Sequence, residues 1–169
     1  MRTNGSIYVA VVFAALTGYF VYQWWFNPAR AVKRRLGEVA EALSIPADDT
    51  DIARVTRLAQ LRRYLADDIH VRAGASAPEV TSRDVALGIV GAFRPPAGGW
   101  DVGFADVQIT LESDSTARAD LSLEITTRDP QGKPAMDSQD AAVVLAKRDG
   151  EWVITSAETK SPPVRPSSP

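Results

Sequence analysis

At Trp100 the apolar pattern of this chain changes period. Before it, apolar residues recur every third or fourth position; after it, every second. Val32, Leu36, Val39 and Leu43 stand at spacings of four, three and four with charges between them, which predicts an amphipathic helix from Pro28 to about Ser44. Asp48-Asp49-Thr50-Asp51 offers caps for a second helix with the stripe Ile52, Val55, Leu58, Leu61 and Leu65, running to about Asp67. Arg54, Arg57, Arg62 and Arg63 are expected on its wet side. Ile69–Arg72 reads as a short strand. Thr81-Ser82-Arg83-Asp84 resembles a capping box opening a third helix, with Val85, Ile89 and Phe93 as its stripe.

The alternating half carries its own landmark. Trp100, Val102 and Phe104 share one parity, but Val107, Ile109 and Leu111 share the other, so one residue is gained around Ala105-Asp106. A β-bulge there would bend the strand. Ala117, Ala119, Leu121, Leu123 and Ile125 mark a second strand, Ala135–Lys147 a third and Trp152–Thr159 a fourth. Asp149-Gly150 is a two-residue hairpin turn. Strands grouped after helices define an α+β domain: three helices on one face of a bent, four- to five-stranded, mainly antiparallel sheet.

Ahead of this domain, Ile7–Phe26 holds no charge over a length matching the hydrocarbon core of a bilayer, roughly 30 Å. It is expected to be a transmembrane helix, with Tyr8 at one interface and Trp24, Trp25 and Phe26 at the other. A cleaved leader fits less well, because Ala29-Arg30-Ala31, the small-x-small site, lies beyond the bulky aromatics. The expected division is an anchor over 1–27, a domain over 28–160 and a disordered proline-serine tail over 161–169. With 19 basic and 21 acidic residues, no cationic excess points to nucleic acid. The chain has no cysteine, which excludes disulfides and thiolate metal sites.

The helix pair over 28–67, the Asp67-Asp68-Ile69-His70-Val71 strand entry and the Thr81-Ser82-Arg83-Asp84 helix start stand in a characteristic order. With the bulge at Ala105-Asp106 and the closing Lys147-Arg148-Asp149-Gly150-Glu151-Trp152-Val153-Ile154, they resemble the NTF2-like superfamily, which includes SnoaL-like and ketosteroid-isomerase-like proteins. The resemblance covers about residues 30–158. It implies a conical cavity between sheet and helices, used for catalysis in some members and for binding or dimerisation in many. Fold does not assign chemistry, so the residues must carry it.

His70 is the sole histidine and hence the one imidazole base available, but its alternation with Ile69 and Val71 turns it outward. Asp67-Asp68 reads as a solvated helix end rather than a shared-proton pair. Asp137 is the candidate acid or base, and shares a strand face with Gln139; an exposed strand start is the plainer reading. Phe93, Trp100, Phe104, Gln139 and Trp152 are the expected pocket lining, although aromatics at such spacings also build ordinary cores. Arg30, Lys33, Arg34 and Arg35 are candidates for contact with anionic headgroups. No metal-ligand cluster, nucleophile elbow or phosphate loop is present, and no cofactor is expected.

The function expected is a non-catalytic binding or assembly module, offering an apolar pocket or sheet face to a small apolar ligand, a protein partner or a second copy. The alternatives are a ketosteroid-isomerase or SnoaL-like enzyme using Asp137, and an accessory subunit of a membrane complex. The expected location is a bacterial inner membrane. Counting positive charges puts the domain in the cytoplasm, whereas similar domains behind such leaders are more often exported, so the periplasmic side is preferred.

Overall fold

The computed structural model describes residues 12–17, 27–74, 77–94, 98–128 and 131–160. Helix α1 (Pro28–Leu43) starts where Asn27 accepts from the Ala29 N–H at 3.0 Å and Pro28 supplies a helical φ in the first turn. It buries Val32, Leu36 and Val39, three members of the expected stripe, in the main core cluster. Its far end is tied to the first long strand. Trp100 Nε1 donates to Leu43 O at 2.7 Å, the Val102 N–H donates to Ser44 Oγ at 2.9 Å, and Ile45 pairs with Trp100 as an isolated bridge.

Helix α2 (Asp51–Tyr64) is capped by Thr50, whose Oγ1 accepts from the Ala53 N–H at 3.2 Å. It passes without a loop into β1 (Leu65–Ala73), so the strand is longer than the expected Ile69–Arg72 and Asp67-Asp68 lie within it. Its stripe needs correction. Leu61 is buried, but Ile52 and Val55 are 81% and 68% exposed, because the helix meets the rest of the domain mainly through its second half. The arginines also need correction. Asp49 gathers Arg57 at 2.7 Å and Arg54 at 3.1 Å in an ion pair whose carboxylate is almost fully covered.

Helix α3 (Arg83–Ala92) begins at Ser82, whose side chain makes no capping hydrogen bond, so the expected capping box is not formed. Its expected stripe is also displaced. Val85, Ile89 and Phe93 are the exposed side, while Leu87 and Val90 pack against the core. Gly91 allows α3 to approach α2: a Cβ there would meet a Leu58 methyl at 3.1 Å.

The strands β2 (Trp100–Leu111), β3 (Thr116–Arg128), β4 (Pro134–Arg148) and β5 (Glu151–Thr159) complete one five-stranded sheet of order β1-β5-β4-β3-β2. All neighbours are antiparallel except β1 and β5. The bulge is where the parity change put it. The β2–β3 register slips between Ala105 and Gln108, and Asp106 takes a positive φ of 50°. At the β4–β5 turn Asp149 and Gly150 both have positive φ, 52° and 84°, as a type I′ hairpin requires.

The α+β fold with a bent five-stranded sheet is thus observed, but the transmembrane helix expected at Ile7–Phe26 is not. No helix among the described residues is long and apolar enough to cross a membrane. Residues 12–17 are the part of that stretch among the described residues; they are helical, with Val12, Phe13 and Leu16 exposed. Tyr8, Trp24, Trp25 and Phe26 lie outside the described residues, as does the proline-serine tail.

Deleting Asp106 should move Val107, Ile109 and Leu111 to the wrong face, since a one-residue slip inverts a strand. The expected result is loss of the cooperative urea transition, read by tryptophan fluorescence. Asp49 gives a second prediction. Burial pushes its carboxyl up, but the hydrogen bonds and charges of Arg57 and then Arg54 more than offset this and hold it below its ordinary 3.8. The unfolded chain therefore binds this proton first as pH falls. The contribution is complete above the ordinary value and disappears as pH drops through the lowered one. Asp49→Asn should lower the melting temperature at pH 7, and its deficit relative to the parent should shrink below pH 4.

Candidate functional site

Alternation decides which side chains face the helices. One row across the sheet reads Val71, Ala157, Val143, Ala119 and Ile109, each in register with the next. All five belong to the core cluster or pack against it. The neighbouring row reads Arg72, Glu158, Ala142, Asp120 and Gln108, and points to the opposite face. The inner face is hydrocarbon with several alanines; the outer face is polar.

Those alanines matter because the helices do not fill the space above them. A cavity of about 290 Å³ lies between the inner face and α1, α2 and α3. Val39 and Leu43 of α1, Leu61 of α2 and Ile89 and Val90 of α3 close it from above. Phe104, Leu121 and Leu123 of β2 and β3, with Ala141, Val143 and Ala157 of β4 and β5, form its floor. Ile89 is 57% exposed although it lines the cavity, which puts it at the mouth. The lining residues that carry polar side chains are Arg72, Glu158 and Thr159. Register sends Arg72 and Glu158 to the outer face, leaving Thr159 as the polar side chain turned inward.

Of the expected lining, Phe104 alone borders this cavity. Phe93 and Trp100 stack on each other with ring centroids 4.3 Å apart, and Trp100 is held by its bond to Leu43. Trp152 is buried in the core, bordering a separate surface cleft beside Arg30, Arg34 and Arg35. Gln139 is half-buried on the inner face in the row Phe104–Leu123–Gln139, and Asp137 sits in the adjoining row Val102–Ile125–Asp137. Asp137 is exposed and does not line the cavity. The reason is that β4 outruns β5: pairing with β5 begins at Ala141, and beyond the Lys160 N–H bond to Asp140 O the stretch Pro134–Gln139 has no β5 residue beside it.

His70 points outward, 56% exposed, with Nδ1 3.1 Å from Glu79 Oε1. The His70 hydrogen bond, then the hydrogen bond and charge of Arg72, hold the Glu79 carboxyl below its ordinary range. Asp120, on the same face, is lowered by Lys160 and then by Arg118. The Asp67-Asp68 pair is divided between Arg83 and Arg148. Arg148 and a backbone hydrogen bond lower Asp68. None of these carboxylates shares a proton with another. Arg30, Lys33 and Arg34 are exposed on α1, but Arg35 is turned inward, bonded to Glu38 and Glu151 and lying 4.7 Å over the Tyr64 ring. Among the described residues no cluster of three or more His, Asp or Glu could hold a metal.

The small floor residues are what the sequence reading passed over. Their signal was present: Ala141 and Ala157 occupy positions where alternation expects a larger apolar side chain.

A family model described as a SnoaL-like domain matches residues 43–164. No curated protein matches the chain in sequence. Among solved structures, ActVI-ORFA from Streptomyces coelicolor aligns with a TM-score of 0.64 at 17% identity, over 79% of this chain and 96% of that one. An NTF2-like protein with a cystatin-like fold from Novosphingobium aromaticivorans aligns with a TM-score of 0.65 at 9% identity, over 85% of this chain and 88% of that one. At these identities the likeness is one of fold.

Proposed function

The chain belongs to the SnoaL-like domain family, and we propose that within it this domain is a binding module for a small apolar molecule held in the cavity between sheet and helices. The observation that supports this is the chemistry of the walls. A cavity of about 290 Å³ whose inward side chains are hydrocarbon except for Thr159 offers little to water, which needs two to four polar partners. An apolar guest loses nothing there and gains the full transfer from water. Burying about 200 Å² of apolar surface contributes about 5 kcal/mol before the costs of association. Acid–base chemistry on a bound molecule needs a titratable group within hydrogen-bond reach of the reacting atom. The inward lining described here has none, and Asp137 stands outside it, so binding is favoured over turnover.

Fluorescence titration with N-phenyl-1-naphthylamine tests the reading. Saturable binding at micromolar concentration is expected. Ala141→Phe, which places a ring in the cavity floor, should weaken it at least tenfold while far-ultraviolet circular dichroism shows an unchanged fold. Val143→Met offers a milder filling should the larger ring unfold the domain. Absence of saturable binding, or binding untouched in a folded filled variant, would refute the proposal.

A further inference from the structure

A second hollow lies at the opposite end of α1 from the apolar cavity. Its volume is about 720 Å³, with the first two turns of α1 on one side and the β4–β5 hairpin on the other. We infer that this cleft binds a phosphate monoester, held by Arg30 and Arg34 of α1 and Lys147 of β4, independently of what the cavity holds.

The charge balance is the first support. The chain as a whole carries −2, yet the described lining of the cleft holds four cations, Arg30, Arg34, Arg35 and Lys147, against the carboxylate of Glu151. Glu38, the next acid along α1, lowers that surplus from three to two. Arg35 engages both carboxylates, Glu151 at 3.2 Å and Glu38 at 2.9 Å, and is thereby tied down. The remaining charge belongs to exposed side chains. Arg34 is 77% exposed and reaches Glu38 only at 3.8 Å. Lys147 pairs with no carboxylate among the described residues, Asp114 of the adjoining β2–β3 turn included. At the hairpin tip Arg148 and Asp149 cancel.

The helix supplies the second support. Cations near a helix N-terminus stand against the macrodipole, which favours anions there. Helix α1 has no acid in its first turn, and Arg30, Lys33, Arg34 and Arg35 all fall within its first two turns. Its first amides are already satisfied by Asn27, through Oδ1 for Ala29 and through the backbone carbonyl for Arg30 and Ala31. An anion in the cleft is therefore held by side chains, and it relieves a repulsion built into the helix. Arg30 and Arg34 stand one turn apart, with about 6 Å between Cβ atoms, and Lys147 lines the other side from its pairing with Trp152. A phosphate monoester carries about −1.5 to −2 charges and three acceptor oxygens, which suit two guanidinium groups and an ammonium. A carboxylate carries one charge and leaves half the surplus unanswered.

Equilibrium dialysis of the full chain against radiolabelled sn-glycerol 3-phosphate at low salt tests a free phosphate source. Sedimentation with phosphatidylcholine vesicles, with and without phosphatidic acid, tests a lipid headgroup. Only the excess bound to phosphatidic acid is read, so any attachment through the uncharged run over 7–26 drops out. One equivalent of glycerol 3-phosphate is expected to bind, and acetate at equal concentration should not displace it. Arg34→Gln and Lys147→Gln should each weaken binding about tenfold, the value of one charge-assisted hydrogen bond. Lys33→Gln makes the same charge change on the same helix outside the cleft and should leave binding unchanged. This pattern in the vesicle arm alone would uphold the phosphate assignment and identify its source as lipid. Binding in neither arm would overturn the inference, as would a loss on Lys33→Gln equal to that on Lys147→Gln, or acetate competing as well as unlabelled glycerol 3-phosphate. Uptake of N-phenyl-1-naphthylamine should be the same in all three variants, so the cavity reading and this one fail separately.

Discussion

The contact on which the rest of this domain depends is the seam of helix α1 against the concave side of the sheet. Val32, Leu36 and Val39 are between 0% and 3% exposed there, and each large apolar side chain so buried contributes about 1.5–3 kcal/mol. The seam could slide were it not pinned at its end. Trp100 and Val102 bind the last turn of α1 through Leu43 and Ser44, and the Ile45 bridge continues the attachment. One end of the concave face is thereby filled. The other is left to α2 and α3, which touch each other through Leu58 and Gly91 and span the opening without occupying it. The cavity is the space left where a firmly seated helix gives way to two lightly seated ones.

The strand half of the chain was readable because alternation is unambiguous once a strand is half-buried. Val107, Ile109 and Leu111 could change parity only through an inserted residue, and Asp106 supplies it with a backbone conformation that aspartate tolerates better than most. The two lighter helices were harder. Helix α3 carries Val85, Ala86, Leu87, Ile89 and Val90 nearly all round its circumference, so spacing alone selects no face. In α2 the period is clean, yet Ile52 and Val55 reach past the sheet and have nothing beneath them. The uncharged run at Ile7–Phe26 is a different case: its composition permits a membrane helix, and no helix among the described residues is long and apolar enough to be one. As for the site, a sequence shows that Ala141 and Ala157 are small, but not whether a neighbour grows into the room they leave.

The two faces of the sheet do different electrostatic work. The outer face collects its charges into pairs at 2.8–3.3 Å, Lys160 and Arg118 on Asp120 and Arg72 on Glu79, all in contact with solvent. Such solvent-screened pairs contribute little to stability. Their larger effect is to leave the inner face nearly neutral, so that an apolar cavity can sit beneath a strongly charged surface without a buried charge of its own. Asp49 is the exception in stability rather than in site chemistry, covered by α2 and answered by two arginines from that same helix.

The strand order also sets the sequence of events by which the domain can be made. Apart from the Val71–Val80 bridge, the strand that β1 pairs with is β5, so a strand complete by residue 73 finds its place in the sheet only after residue 151 has been added. Closing so long a loop is slow and its reward comes late. On the ribosome, where the chain lengthens at about 5–20 residues per second, α2 and β1 must wait several seconds for the last strand. Until then Leu61, Leu65 and Ile69, all destined for the core, have no strand to close against. Production of this domain is therefore governed by β5, and a nascent chain halted before it exposes the surface that chaperones recognise.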